Sequence, residues 1–175
     1  MEEVQWPWQY SFPPFFTLQP HLETRMRQIE AWRLLILDYC KLKKQCILDV
    51  REATRSTLFH NKTIDRKLDS EVIVKILSEL EKTGHAAPCD KKRLRWEIYW
   101  HTLPEFANFL YKWANDNGML NTVCTMYELT NGENTIDEEF YGLDKEVLIK
   151  ALRILEHEKK CEIIMFEDNE GVKFF

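Results

Sequence analysis

Apolar and polar positions alternate at helical spacing over residues 68–81. Val72, Ile76, Leu77 and Leu80 fall at i, i+4, i+5 and i+8, one stripe of an amphipathic helix. The same spacing returns 75 residues later at Val147, Ala151, Leu152 and Leu155. The polar positions return with it: Asp69, Glu71, Lys75 and Glu81 are matched by Asp144, Glu146, Lys150 and Glu156, and Leu68 by Leu143. A match this long at a constant offset means that the chain builds one small unit twice.

The elements around the repeated helix also come in pairs. Asp69 and Asp144 stand where each helix should begin, as side-chain caps, with Glu71 and Glu146 in the first turn. Gly84 is suited to end the first copy in a left-handed cap. A shorter helix precedes each copy, at residues 51–54 and 127–130, and β-prone stretches precede these at 47–50 and 121–125. Further upstream a longer helix is predicted over residues 22–44, with Ile29, Trp32, Ile36 and Tyr39 on one face. Its counterpart opens at Thr102-Leu103-Pro104-Glu105, a capping box with proline in the first turn, and would bury Phe106, Phe109, Leu110 and Trp113. Hairpins should follow each repeated helix, pairing 85–87 with 94–100 and Cys161 to Phe166 with Gly171 to Phe175.

Helix, short strand, helix, helix, hairpin is the order of a winged helix. The predicted fold is therefore α+β, two winged-helix domains in tandem behind a Pro/aromatic N-terminal arm. Some other small duplicated α+β unit is the alternative. The expected divisions are 1–20 for the arm, 21–101 for the first domain and 102–175 for the second.

Composition narrows the class. At 175 residues, with 45% apolar and 13% aromatic content, the chain can build two small cores. The formal charge of −5 repels polyanions as a whole. No basic, apolar leader opens the chain, and the longest aliphatic run, 34–37, is far too short to span a bilayer. Five cysteines (Cys40, Cys46, Cys89, Cys124, Cys161), odd in number and never closely paired, suit reduced thiols. The chain reads as soluble and intracellular.

Nucleic-acid binding and catalysis both find little support. A winged helix that reads DNA needs basic or amide side chains on its third helix, but Ser70, Glu71, Ser78, Glu79, Glu81 and Lys82 occupy one copy. Lys145, Glu146, Arg153, Glu156 and Glu158 occupy the other. Carboxylates there oppose the counterion-release term of phosphate binding. Lys91-Lys92-Arg93 and Arg95 form a basic cluster on the first wing, read as a solvated wing tip. Five scattered glycines make no phosphate-cradling loop. His85 and Cys89 lack a second pair to complete a zinc site, and His21, His60, His101 and His157 are dispersed. Asp137-Glu138-Glu139 reads as a solvated loop. The expectation is no enzyme, no cofactor, no metal and no catalytic residue.

Ahead of both units runs Trp6-Pro7-Trp8-Gln9-Tyr10-Ser11-Phe12-Pro13-Pro14-Phe15-Phe16, six aromatics among prolines that forbid a continuous helix and favour extended backbone. So much apolar surface must be covered, by packing on its own domain or by docking in grooves of another protein. Both can hold, with Trp-Pro-Trp closing the core and Pro-Pro-Phe-Phe reaching outward.

This segment, continued through Thr17-Leu18-Gln19-Pro20, resembles the amino terminus of the vacuolar protein sorting-associated protein 25 family, the small subunits of the ESCRT-II endosomal sorting complex. The resemblance recurs at Tyr127-Glu128-Leu129-Thr130-Asn131-Gly132-Glu133 and Gly171-Val172-Lys173-Phe174-Phe175, and so covers essentially the whole chain. It implies tandem winged helices and a non-enzymatic adaptor. Two copies of the chain would attach to the two larger ESCRT-II subunits, docking through Trp6, Pro7, Trp8, Pro13, Pro14, Phe15 and Phe16. The second winged helix would recruit and nucleate an ESCRT-III subunit, for sorting of ubiquitinated membrane cargo into multivesicular bodies. The expected contact residues there are Val123, Cys124, Thr125, Met126 and Leu129. Membrane contact would be indirect, through the complex. The chain would be cytoplasmic and recruited to endosomes, with room for a nuclear pool. The alternative is a winged-helix transcription or chromatin-associated protein, distinguished by salt-dependent DNA affinity. A third reading takes Pro13-Pro14-Phe15-Phe16 as a degenerate WW-domain ligand.

Overall fold

In the computed structural model, which describes residues 2–165 and 167–175, the two copies become two compact units, Met1–Trp100 and His101–Phe175. The first unit runs α1 (Leu22–Lys43), β1 (Ile47–Asp49), α2 (Val50–Ala53), β2 (His60–Asn61), β3 (Arg66–Lys67), α3 (Ser70–Lys82), β4 (Ala86–Pro88) and β5 (Arg95–Ile98). The second runs α4 (Leu103–Asp116), β6 (Val123–Thr125), α5 (Met126–Asn131), α6 (Lys145–His157), β7 (Cys161–Met165) and β8 (Glu170–Phe174). Each is a winged helix: three helices against an antiparallel sheet whose central strand is the last of the unit. Strand order is β1-β5-β4 in the first and β6-β8-β7 in the second. Ile47 and Ala87 flank Glu97, and Cys124 and Ile163 flank Val172. Phe166, expected at the end of a strand, lies outside the described residues, as does Met1 of the arm.

The repeated helices use their apolar stripe as predicted, rotated slightly. In α3 the fully buried residues are Ile73, Ile76, Leu77 and Leu80, while Val72 is half-buried; α6 buries Val147, Leu148, Ala151, Leu152 and Leu155. In α1 the core face is Gln28, Trp32, Leu35, Ile36 and Cys40, with Ile29 and Tyr39 at its margins. The rotation follows from what covers α1, since the N-terminal arm lies on the Gln28–Trp32 side.

Both repeated helices end alike. Gly84 takes φ 82° and its counterpart Lys159 takes φ 62°. The following residues close the helix, His85 N–H donating to Leu80 O (2.9 Å) and Lys160 N–H to Leu155 O (2.8 Å). The matched glutamates then clasp helix to wing by different means. Glu81 pairs with Arg93 at 2.7 Å, whereas Glu156 accepts from the backbone N–H of Ile163 at 2.8 Å. That hydrogen bond, with the one from Arg153, holds the Glu156 carboxyl below its usual range.

Helix starts differ from expectation in two places. Asp144 caps α6, accepting from Glu146 N–H, but the Asp69 side chain makes no cap bond on α3. Thr102 caps α4 through Glu105 N–H, yet the reciprocal half of the box is not formed, because Glu105 turns its carboxylate to His101 Nδ1 at 3.2 Å. The complete capping box is at Thr125 and Glu128, where it begins α5. Among the described residues the hairpin of β2 and β3 has no counterpart in the second unit, and its flanks deliver the buried Phe59 and Leu68 to the first core.

Candidate docking surfaces

The arm is not extended. It forms two short 3-10 turns, Trp8–Ser11 and Pro13–Phe16, each closed by its own backbone: Tyr10 N–H donates to Pro7 O (3.0 Å) and Phe15 N–H to Phe12 O (2.9 Å). Prolines forbid a long helix but are tolerated in a first turn, which is where Pro13 and Pro14 sit. The turns bring Tyr10, Phe15 and Phe16 to one side, and that side is buried. Phe15 stacks on Trp32 with ring centroids 4.2 Å apart and planes at 2°, and Phe16 meets the same indole edge-on at 5.4 Å. Tyr10 is buried beside Phe16, its hydroxyl donating to Thr57 O, and burial with Tyr39 nearby pushes its pKa up.

Three polar side chains clasp the carbonyls of Tyr10, Phe15 and Thr17. Gln28 Nε2 donates to Phe15 O (2.9 Å) and Thr17 O (2.8 Å), while its Oε1 accepts from Gln19 N–H at 3.0 Å. Trp32 Nε1–H donates to Phe15 O at 2.9 Å, and Asn61 Nδ2 to Tyr10 O at 2.7 Å. Gln28 and Asn61 are buried polar residues whose amide donors are satisfied by this segment. The sequence carried no signal for them, since nothing in their own spacing points to a chain segment many residues away.

The seven residues expected to dock on the larger subunits thus divide. Phe15 and Phe16 are core residues, Phe15 only 4% exposed, whereas the other five reach the surface to different degrees. Trp8 is 70% exposed with Phe12 beside it at 5.6 Å, and Pro13 and Pro14 are exposed. Trp6 is partly exposed, stacked on Tyr10 at 3.9 Å, and Pro7 is half-buried. The outward strip is therefore Trp6, Pro7, Trp8, Phe12, Pro13 and Pro14. Phe12 escaped the sequence reading although the alternation of buried and outward rings includes it.

In the second unit the expected contact segment divides likewise between core and surface. Cys124 points inward from the middle strand position of β6, while Met126 and Leu129 line the inner face of α5, so all three are buried. Burial also raises the Cys124 thiol. Val123 and Thr125 reach the surface. The large exposed apolar groups nearby are Tyr127 (71%) and Met165 (67%), which with Thr125, Met126 and the wing residues Glu167, Asp168 and Glu170 line a groove of about 500 Å³. Lys145 pairs with Glu170 across it at 3.2 Å. Tyr127 was legible in principle: in Thr125-x-x-Glu128 the reciprocal cap ties down the flanking residues and leaves Tyr127 outside. Met165 was not, because the wing's tip shapes its surroundings.

The basic wing cluster is partly consumed. Arg93 donates to Ser78 Oγ (3.1 Å) as well as pairing with Glu81, and its guanidinium lies 4.8 Å over Trp96. Lys91, Lys92 and Arg95 stay exposed. Among the described residues no group of three His, Cys, Asp or Glu side chains could hold a metal, and no helix is long and apolar enough to cross a membrane.

The family model for ESCRT-II complex subunits matches residues 9–144. The vacuolar protein-sorting-associated protein 25 of Drosophila melanogaster is 49% identical over 175 residues, covering all of both chains. Its Homo sapiens namesake is 48% identical over 171 residues, 98% of this chain and 97% of the relative. Among solved structures, subunit VPS25 of the endosomal trafficking complex ESCRT-II superposes with a TM-score of 0.85 at 31% identity, over 98% of this chain and 99% of the other. A chain of the endosomal complex ESCRT-II (VPS22/VPS25/VPS36) gives 0.81 at 32% identity, over 96% and 98%.

Proposed function

Because this chain belongs to the ESCRT-II complex subunit family, a family of structural adaptors rather than enzymes, we propose that it joins two larger subunits like VPS22 and VPS36 and hands the complex to an ESCRT-III subunit. The observation that carries the first part is the two-sided arm: its inner aromatics lock it to the first winged helix, and its outer strip leaves Trp8 and Phe12 in water. Aromatics bury about 150–250 Å² each when covered, and prolines that are already fixed lose little entropy on binding. A rigid, pre-shaped apolar strip of this kind suits a groove on a partner. Residues 1–20 act as the docking arm, 21–101 as its platform and 102–175 as the recruiting module. Two copies of the chain enter each complex.

The second part rests on the resemblance and on the groove beside Tyr127. The amino-terminal helix of an ESCRT-III subunit docks there, with Met126, Tyr127 and Met165 as its apolar floor and Val123 and Thr125 at the surface beside them. The complex sorts ubiquitinated membrane cargo into multivesicular bodies. The chain itself is cytoplasmic and reaches the endosome membrane through the complex.

Co-purification of the full chain with both larger subunits tests the arm. Trp8→Ala combined with Pro14→Ala should abolish capture while circular dichroism stays unchanged; capture at full stoichiometry would refute the docking role. Titration of the ESCRT-III helix against the full chain tests the groove, where Tyr127→Asp should weaken binding and Trp8→Ala should not. The mass of the intact complex reports the copy number.

A further inference from the structure

The first unit carries a second apolar surface, separate from the arm. On α1, Leu22 (61% exposed), Met26 (63% exposed) and Ile29 stand at i, i+4 and i+7, a ridge about two turns long. They line an open groove of about 350 Å³ with Arg25, Glu30 and Arg33 of α1 and Lys75 and Glu79 of α3. The core of the unit is built from other faces of these helices, namely Trp32, Leu35 and Ile36 on α1 and Ile73, Ile76, Leu77 and Leu80 on α3. The groove is therefore not needed to close the fold, yet it keeps two large side chains in water.

Its charges are unevenly committed. Glu30 is paired with Arg33 at 2.8 Å, and Glu79 with Lys82 at 2.8 Å, so both carboxylates are neutralised within the unit. Arg25 donates to the neutral carbonyl of Pro20 at 3.1 Å and keeps its full charge. Lys75 is exposed and, among the described residues, has no carboxylate within salt-bridge distance. Arg33 is already committed, to Glu30 and to Thr83 Oγ1 at 3.1 Å. An apolar ridge between two helices, flanked by two uncommitted cations on a chain of net charge −5, has a defined complement.

We propose that this α1/α3 groove docks an acidic amphipathic helix of a partner protein. Apolar side chains at i, i+3 or i+4 and i+7 of the partner interdigitate with Leu22, Met26 and Ile29, as ridges fit grooves between helices. Carboxylates on its two flanks meet Arg25 on one side and Lys75 on the other, which selects acidic over basic helices and speeds association. Met26, flexible and polarizable, adapts the ridge to the helix it receives. The site is distinct from the arm and from the Tyr127 groove, and it adds a third attachment point.

The test uses the full chain and helical peptides of about three turns, with leucines at i, i+4 and i+7 and either glutamates or lysines at the flanking positions. Binding is read by fluorescence anisotropy, and the Met26 methyl resonance reports the site. The glutamate peptide should bind at least about tenfold more tightly than the lysine peptide, shift the Met26 methyl, and weaken with added salt. Arg25→Glu with Lys75→Glu should reverse the preference, Met26→Asp should remove binding, and Trp8→Ala should change nothing. Equal affinity for both peptides, no saturable binding, or an unmoved Met26 resonance would overturn the proposal. So would self-association that Met26→Asp abolishes, since it would give the groove to a second copy of this chain.

Discussion

Replacing Phe15 by Ala separates the arm's packing on its own unit from the docking role proposed for it. The ring lies flat on Trp32 at 4.2 Å and is almost fully buried, so its loss removes both transfer energy and a stacked pair. The backbone carbonyl survives the substitution, so the bonds from Gln28 Nε2 and Trp32 Nε1 keep their acceptor and the change isolates packing. A buried phenylalanine truncated to alanine costs about 3–5 kcal/mol, a large share of the roughly 5–15 kcal/mol that holds a domain of this size together. With a urea slope of about 1–3 kcal/mol per molar, the midpoint for the first unit should fall by on the order of 2 M. Near-ultraviolet circular dichroism follows the packed indoles while urea is raised, and the second unit should keep its midpoint. Trp8→Ala is the control: an exposed site, it should stay within about 0.5 kcal/mol of the parent while losing capture by the larger subunits. The reasoning fails if Phe15→Ala leaves the midpoint unmoved and abolishes capture, because Phe15 would then be a contact and not a core residue. Truncating the whole arm confuses the two roles, since it strips Gln28, Trp32 and Asn61 of their acceptors as well as removing Trp8.

Three further outcomes follow from the same geometry. Lys159→Gly should stabilise the second unit by about 0.5–1 kcal/mol, because φ 62° is costly for lysine and free for glycine; thermal melts should show it, and Gly84→Lys should cost a similar amount in the first unit. Of the five thiols, only exposed Cys89 should react promptly with a disulfide reagent in native protein, since burial pushes Cys40 and Cys161 up to about 12 and raises Cys124; prompt reaction of more than one thiol before denaturant is added would contradict this. Hydrogen bonds from the Arg51 side chain hold Asp49 down to about 2. Because the folded value lies below the usual carboxylate value of about 3.9, the contribution to stability is complete above that pH and is lost as pH falls toward 2. Carboxyl resonances should show Asp49 titrating at a higher pH in Arg51→Ala, and no change would refute the assignment.

The duplication was readable from the chain alone because it lies in local pattern. The stripe at Leu77 and Leu80, its copy at Leu152 and Leu155, the β-prone stretch before each short helix and the two hairpins all follow from side-chain period and turn chemistry, which neighbours in sequence decide. The family, too, was legible in Trp6–Phe16. What escaped was decided by partners distant along the chain. Asp69 and Asp144 occupy the same repeat position, yet only Asp144 caps with its side chain. Glu105 leaves its own capping box for His101. The aromatic string could face either way as sequence. Its direction was settled by Trp32, Gln28 and Asn61, which offer a flat ring and three donors on one side only, so Phe15 and Phe16 turn in and Trp8 and Phe12 turn out. Whether Cys124 or Val123 faces the core was likewise undetermined until β6 paired with β8, because the alternation of a strand names two faces and only the core behind it says which one is buried.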